Sequence, residues 1–382
     1  MNQKLVLIGG GHSHAIALKQ WGLNPIPNVD LTLISDVEQT PYSGMLPGHV
    51  AGFYSYEETH IDLSSLAKFA GAKLIIDRAI GLDTEQNLVI CQGDRFEFDY
   101  LSLDIGSTPQ TITVPDAKEY AVPAKPVPVF LKAWYELKQQ AKSENQPLSI
   151  AIVGGGAGGV ELALNMQACL QEILGDKRDY LQIHVIHRGK QLLTSHNNWV
   201  SNKLEEIVLH RKIELHLQQS VVEVLSNKII CESGLEIECD RVFWVTQATA
   251  PSWIKKSNLA TDERGFVLVK DTLQSVSHPH IFAAGDIATM SDYNRPKAGV
   301  FAVRQGQPLF NNWQSMLRDR SLQSYIPQDK YLSLIGTGDR RAIASWGSFG
   351  WRSRLFWWLK DYIDRKFMNQ FANLDSFNSS SG

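Results

Sequence analysis

Cysteine is scarce and scattered: the four residues, Cys91, Cys169, Cys231 and Cys239, never fall in C-x-x-C spacing. That excludes a disulfide framework, a paired redox thiol and a cysteine-built metal site, and no metal centre is expected. Cys169 sits in an apolar helical stretch, while Cys231 and Cys239 straddle a hairpin, so each reads as a buried structural thiol. Long apolar runs are missing too. No stretch reaches the roughly 18 apolar residues of a spanning helix, so any contact with a membrane would be made at its surface. An excess of one charge is also lacking, since a net −3 over 382 residues leaves no basic domain to attract nucleic acid. A glycine cluster beginning at Gly9 leaves no room for a cleaved leader, and a reducing, cytoplasmic setting is expected. What the chain does have is apolar substance: at 43% hydrophobic residues it can fill about two or three domain cores.

The stretch "LVLIGGGHSHAIAL" (5–18) reads as a strand, a tight turn and a helix start. Gly9 permits the turn, Gly11 lets backbone approach a diphosphate, and the amides opening the helix at His12 can hold its negative charge. The third glycine of G-x-G-x-x-G is replaced by His14, which should reshape the helix-to-strand packing without removing the anion site. "VDLTLISD" supplies the next strand and ends in Ser35 and Asp36, about where an acid meets a ribose hydroxyl. A glycine turn of purely structural use would look the same. A second copy, "LSIAIVGGGAGGVELALNM", holds Gly154, Gly156 and Gly159 in full register. Two copies with strand and turn signals between them mean two doubly wound α/β units. The strand after the second copy, "LQIHVIHRG", ends in His187 and Arg188. A cation there accommodates the 2′-phosphate of NADPH, where an acid would select NADH; an exposed basic loop end reads the same way.

"FDYLSLDIGSTP" and "CDRVFWVTQATAP" read as buried strands that break at Gly or Ala plus Pro, the first at Gly106, and suggest the edges of nucleotide units. In "TLQSVSHPHIFAAGDIA", Ala283, Ala284 and Gly285 let backbone come close to a ligand. Asp286 there either binds a chain of hydroxyls or caps a helix from Ile287.

The segments "IGGGHSH", "LDIGST", "VGGGAGGVELA", "WVTQATAP" and "IFAAGD", in this order, resemble the two-dinucleotide-domain flavoproteins of the pyridine nucleotide-disulfide oxidoreductase superfamily over essentially the whole chain. The resemblance implies an FAD site on Gly9, Gly11, His12, Ser35, Asp36, Pro41, Tyr42, Gly106 and Gly285, with Asp286 on the ribityl chain. It implies an NADPH or NADH site on Gly154, Gly156, Gly159, His187 and Arg188. Where disulfide reductases carry their cysteine pair the chain reads "EQTPYSGMLPGHVAG", with Tyr42, Ser43 and Met45, so thiol chemistry at the flavin is not expected. The same absence disfavours a sulfide:quinone oxidoreductase. What remains is similar to the type II NADH dehydrogenase branch, whose "GVELA" glutamate is Glu161 here, near flavin and nicotinamide. Glu161 would steer protons, orient the nicotinamide or satisfy helix-start amides. Lys297 and the amides around Ala298 would stabilise charge at the pyrimidine end of a reduced flavin, while Val300 and Arg304 replace glutamines of the quinone-side pattern. "TPYSGMLPG" and "WLKDYIDRKFM" are similar to a subgroup found alone or fused ahead of a selenide, water dikinase. The implied activity is an FAD-dependent NAD(P)H oxidoreductase passing a hydride to FAD and on to a small acceptor, a quinone or a sulfur or selenium species. The other class is a flavoprotein partner of selenium metabolism with structural FAD.

The tail has its own pattern. From Trp351, at about 100° per residue, Trp351, Leu355, Phe356, Trp358, Leu359, Tyr362, Ile363 and Phe367 share one half of a helix, and Arg354, Lys360, Asp361, Asp364 and Arg365 the other. The apolar half would cover the flavin domain, form a homodimer or lie on a membrane as a peripheral anchor. The expected architecture is α/β: a Rossmann-like FAD domain of residues 1–112 and 252–328, an inserted Rossmann-like NAD(P)H domain of 113–251, and a β-hairpin plus amphipathic helix over 329–382. The hairpin strands are "KYLSLIGTG" and "RRAIASWG".

Overall fold

Near-continuous apolar runs such as Leu5–Ile8 and Ile150–Val153 belong to strands covered on both faces, and each lies at the centre of a five-stranded parallel sheet. The computed structural model describes residues 2–109, 114, 116–143, 146–246, 248–372 and 374. In the first sheet Gln3–Ile8 lies between Tyr100–Leu103 and Val29–Ser35, with Ile281–Ala283 and Lys73–Ile76 at the edges. In the second, Leu148–Val153 lies between Arg241–Trp244 and Leu181–His187, with Ala121–Pro123 and Glu214–Leu217 outermost. The first sheet thus takes its strands from both sides of the second in sequence. The architecture is α/β with two Rossmann-like units, as expected.

Each glycine turn leaves the carboxyl end of a central strand, where the strand order reverses, which is where open α/β sheets hold their ligands. The helix after the first turn, His12–Leu23, packs on Gly299–Met316; a Cβ at Gly306 would lie 2.5 Å from the Ile16 side chain, which seats directly on the glycine's backbone. The buried Ser13 hydroxyl donates to the Ala302 carbonyl at 2.7 Å and pins that contact.

The tail departs from expectation at its start. The hairpin of Ser333–Gly336 and Ala342–Trp346 gains a third antiparallel strand, Phe349–Ser353. Trp351 therefore lies on a strand, and the helix runs from Arg354 to Met368, its start capped by the Ser353 hydroxyl, which accepts the Phe356 amide at 3.2 Å. The sequence leaves open what the apolar half of the helix meets. Trp357, Lys360, Asp364, Phe367 and Met368 face the protein, while Leu355, Trp358, Leu359, Tyr362 and Ile363 are exposed. Two residues of the charged half are thus buried and most of the apolar half is open. Among the described residues no helix is long and apolar enough to cross a membrane.

Candidate active site

The first turn closes in a way the sequence only hinted at. Gly9 has φ +89°, and a Cβ there would lie 2.4 Å from the Asp104 carbonyl oxygen. A Cβ on Gly11 would lie 2.2 Å from the Asp104 carboxylate, so both glycines are required by close approach. His14, in the third-glycine place, is fully buried: its Nδ1 is 2.7 Å from the Gly9 carbonyl and its Nε2 2.8 Å from the Ser102 hydroxyl. A carbonyl only accepts, so Nδ1 carries the proton and the Ser102 hydroxyl donates to Nε2. Burial pushes the His14 pKa down to about 4 and keeps the ring neutral. Two hydrogen bonds thereby replace the close packing that a third glycine would give.

Asp104, unremarkable in the sequence, lies beneath this helix start and accepts the His14 amide at 3.0 Å. Part of the anion-binding capacity expected of the helix is therefore already engaged. Burial pushes the Asp104 pKa up to about 7, against the lowering effect of the His14 and Ser13 amides. Between the ordinary aspartate value and about 7 the folded chain keeps a proton that the unfolded chain releases. Stability should fall as pH rises through that window, by up to roughly 1.4 kcal/mol per pH unit. An Asp104→Asn protein, neutral at every pH and still able to accept the amide, should lack that slope. Urea unfolding at about pH 5 and about pH 8 measures it, and equal slopes in the two proteins would place the charge penalty elsewhere.

Asp286 stands in a single 3₁₀ turn, Gly285–Ile287, and caps no longer helix. Its carboxylate pairs with the Lys125 ammonium at 2.8 Å and accepts the Ser107 hydroxyl at 3.3 Å. Burial alone would raise its pKa, but Lys125, with Lys297 and His12, holds it below the usual aspartate value. His12 lies edge-on to Tyr42, ring centroids 5.1 Å apart; burial, with Lys125 adding, pushes its pKa down to about 4. Tyr42 follows Gln39–Pro41, a short strand whose Pro41 pairs with His60. Lys297 donates to the Ala288 carbonyl and, at 2.9 Å, to the Thr289 hydroxyl, and sits over the Phe266 ring; burial pushes its pKa down to about 8. It lines one cleft with Asp286 and Ala298, and Ala298 opens the Gly299–Met316 helix with no side chain capping it. The Ser35 hydroxyl donates to the Val37 carbonyl at 2.8 Å, Asp36 beside it is exposed, and Gly106, at φ +70°, faces open space.

At the second turn Gly154 has φ +135°, and a Cβ on Gly159 would lie 1.9 Å from the Gly154 carbonyl oxygen. Gly156 opens the helix Ala157–Leu174 with empty space above it. The His187 ring packs over Gly155 and Gly189, its Nδ1 accepts the Gly155 amide at 3.3 Å, and its buried Nε2 has no partner. Burial and neighbouring Arg188 lower its pKa, so His187 brings no charge at neutral pH and Arg188 is an exposed cation at this strand end.

Between the two turns, beneath the tail helix, lies a cluster of buried and half-buried polar groups. The Glu161 carboxylate accepts the Gly336 amide at 2.7 Å. Burial pushes the Glu161 pKa up to about 7, against the pull of Lys360. The Lys360 ammonium donates to Asp364 at 2.7 Å and to the Gly44 carbonyl at 2.6 Å, and the Tyr42 hydroxyl donates to the other Asp364 oxygen at 3.1 Å. Burial would lower the Lys360 pKa, but Asp364 and Glu161 together hold it above the ordinary lysine value. Gly338, at φ +74°, brings the hairpin turn against the Leu164 carbonyl, where a Cβ would lie at 2.5 Å, and so places Gly336 on Glu161. Glu161 thus spends its hydrogen bond on the hairpin, not on the start of its own helix.

Residues 3–306 match the family model described as pyridine nucleotide-disulphide oxidoreductase. The chain belongs to that family. This oxidoreductase is 23% identical over 343 residues to a probable NADH dehydrogenase of Dictyostelium discoideum, covering 82% of this chain and 75% of that protein. It is 28% identical over 204 residues to the type II NADH:quinone oxidoreductase of Haemophilus influenzae, 51% of this chain and 46% of that one. Its fold matches NDH2 from Plasmodium falciparum in complex with NADH at a TM-score of 0.82 and 15% identity, over 97% of this chain and 98% of that chain.

The oxidoreductase's residues fit its family's two cofactors. At the first turn the glycine cradle, exposed Asp36 and half-buried Asp286 suit FAD; at the second, the space above Gly156 and the unpaired His187 Nε2 suit a pyridine dinucleotide. Lys125 and Asp104 were missed in the sequence. The one available signal for Lys125 was a lysine flanked by prolines in "VPAKPVP" at a crossing between units.

Proposed function

We propose that this flavoenzyme reduces a quinone with electrons from NAD(P)H while seated on a membrane surface. One observation carries the reading: the tail helix turns most of its apolar side outward and two of its charges, Lys360 and Asp364, inward onto Glu161 and Tyr42. Exposed Trp346, Phe349 and Trp351 on the adjoining strands extend the apolar side, and tryptophans suit a bilayer interface. The relative from Haemophilus influenzae, named for its quinone, supports the choice of acceptor.

A bound FAD supplies the two-electron relay between pyridine nucleotide and acceptor. The protein supplies orientation and a proton. Reducing a quinone takes two electrons and two protons; the hydride brings both electrons and one proton, and the second proton must be delivered. Glu161, with a pKa of about 7, holds such a proton at neutral pH on the carboxyl oxygen that Gly336 does not occupy. Lys360, paired with Asp364 and the Gly44 carbonyl, fixes the wall beside it, and Tyr42 ties that wall to the first turn through His12.

The test is turnover with a long-chain quinone in liposomes beside a short water-soluble one. Leu355→Ser with Trp358→Ser, both outward-facing, should slow the long-chain substrate about tenfold or more and leave the soluble one unchanged. Equal rates on both substrates would sink the membrane reading, and reduction of a sulfur or selenium species in place of either quinone would sink the acceptor.

We infer a preference for NADPH from Arg188 alone, since His187 is neutral and packed into the turn. Arg188→Ala should raise KM for NADPH about tenfold, the worth of one charge-assisted hydrogen bond, and leave KM for NADH alone. Steady-state kinetics with both nucleotides decides it.

A further inference from the structure

Two strands of the second sheet bring three potential metal ligands together. His184 on Leu181–His187 stands in register with Glu214 on Glu214–Leu217, and His216, two residues on, shares the same face. The His184 Nδ1 is 3.2 Å from the His216 Nε2 and 3.3 Å from a Glu214 carboxylate oxygen, which is 3.9 Å from His216. A tetrahedral zinc ion with bonds of about 2.0–2.1 Å holds its ligand atoms roughly 3.3 Å apart. The three separations surround that value, and they converge on one point before any ion is added.

We propose that His184, His216 and Glu214 bind a divalent cation of the zinc class. Two imidazoles and a carboxylate are borderline donors of the kind zinc prefers, with no thiolate to draw a softer ion. A single proton on His184 Nδ1 can serve the His216 nitrogen or the carboxylate, but an ion satisfies all three. Glu214 is half exposed, which leaves the cation an entry from solvent and a position for water. Ligand spacings of 30 and 32 residues make no linear motif, which is why the sequence raised no expectation of a metal. The two strands lead into a loop closed by the Gln219 amide on the His187 carbonyl at 3.0 Å and the Gln218 amide on the Gly189 carbonyl at 3.0 Å, so a bound ion would brace the strand end carrying Arg188.

The experiment uses the full-length, FAD-loaded protein without a polyhistidine tag, stripped with a chelator and titrated with Zn²⁺ alone. The expected result is one ion per chain above the level bound by a His184→Ala/His216→Ala protein, with a rise in the thermal unfolding midpoint that the variant lacks. Losing a direct ligand should weaken binding by at least the roughly tenfold that loss of an outer-shell partner costs. Co²⁺ in place of Zn²⁺ should give the visible bands of a four-coordinate ion in the parent protein alone. His184 is buried and its removal could disturb folding, so Glu214→Ala and His216→Gln, on the more exposed ligands, are measured as well, with flavin content as the folding control. Zinc uptake equal in the parent and in these variants, or no uptake above the double variant, overturns the proposal.

Discussion

A Glu161→Gln protein is expected to keep its flavin, to accept electrons from NAD(P)H within about twofold of the parent rate, and to pass them to a quinone at least about 100-fold more slowly. The amide keeps the size of the side chain and can still accept the Gly336 amide at the position Glu161 uses, so the hairpin stays docked. What it cannot do is release a proton. In the parent the rate of electron transfer to quinone should fall as pH rises through about 7, because Glu161 gives up its proton over that range. The variant's profile should be flat and low. Rapid mixing separates the two half-reactions, and a variant that reoxidises as fast as the parent would show that the second proton arrives by another route.

The second large effect belongs to the other turn. Gly159→Val should abolish flavin reduction by NAD(P)H, by at least about 100-fold, while reduction by dithionite and the flavin content stay intact. A Cβ there would lie 1.9 Å from the Gly154 carbonyl, and backbone cannot yield that distance without pushing the helix start away from the strand. The first turn shares no residue with it, so FAD should remain bound. Should the valine prevent folding, Gly156→Glu carries the test: its side chain enters open space but sets a negative charge where a diphosphate must come. If both variants reduce at the parent rate with either nucleotide, the pyridine dinucleotide does not bind at this turn.

These turns were legible because their geometry tolerates little else: backbone packed to within a Cβ's distance, at fixed spacing, leaves a trace of glycines. Asp286 was legible as a carboxylate beside small residues, though its partner Lys125 lies 161 residues away and nothing in the intervening sequence joins them. His14 shows the limit of pattern matching, since the missing glycine is made good by a hydrogen bond to Ser102, 88 positions on. For the tail, helical periodicity divides the surface into two halves without saying which faces the protein. The clue was an opposite-charge pair four residues apart, Lys360 and Asp364, able to neutralise itself on burial. Trp351 was misplaced because the exposed turn at Gly347, φ +58°, starts another strand before the helix begins.

The inward-facing Lys360 and Asp364 also set an order of assembly. The turn at Gly9 is made first and the wall formed by Arg354–Met368 leaves the ribosome some 350 residues later, roughly twenty seconds to a minute at ordinary rates of synthesis. Until it arrives the Tyr42 side of the first turn lacks the cover that Asp364 and Phe367 give it. The last helix then closes over it like a keystone, bringing to the interior two charges that its own turn has already set side by side.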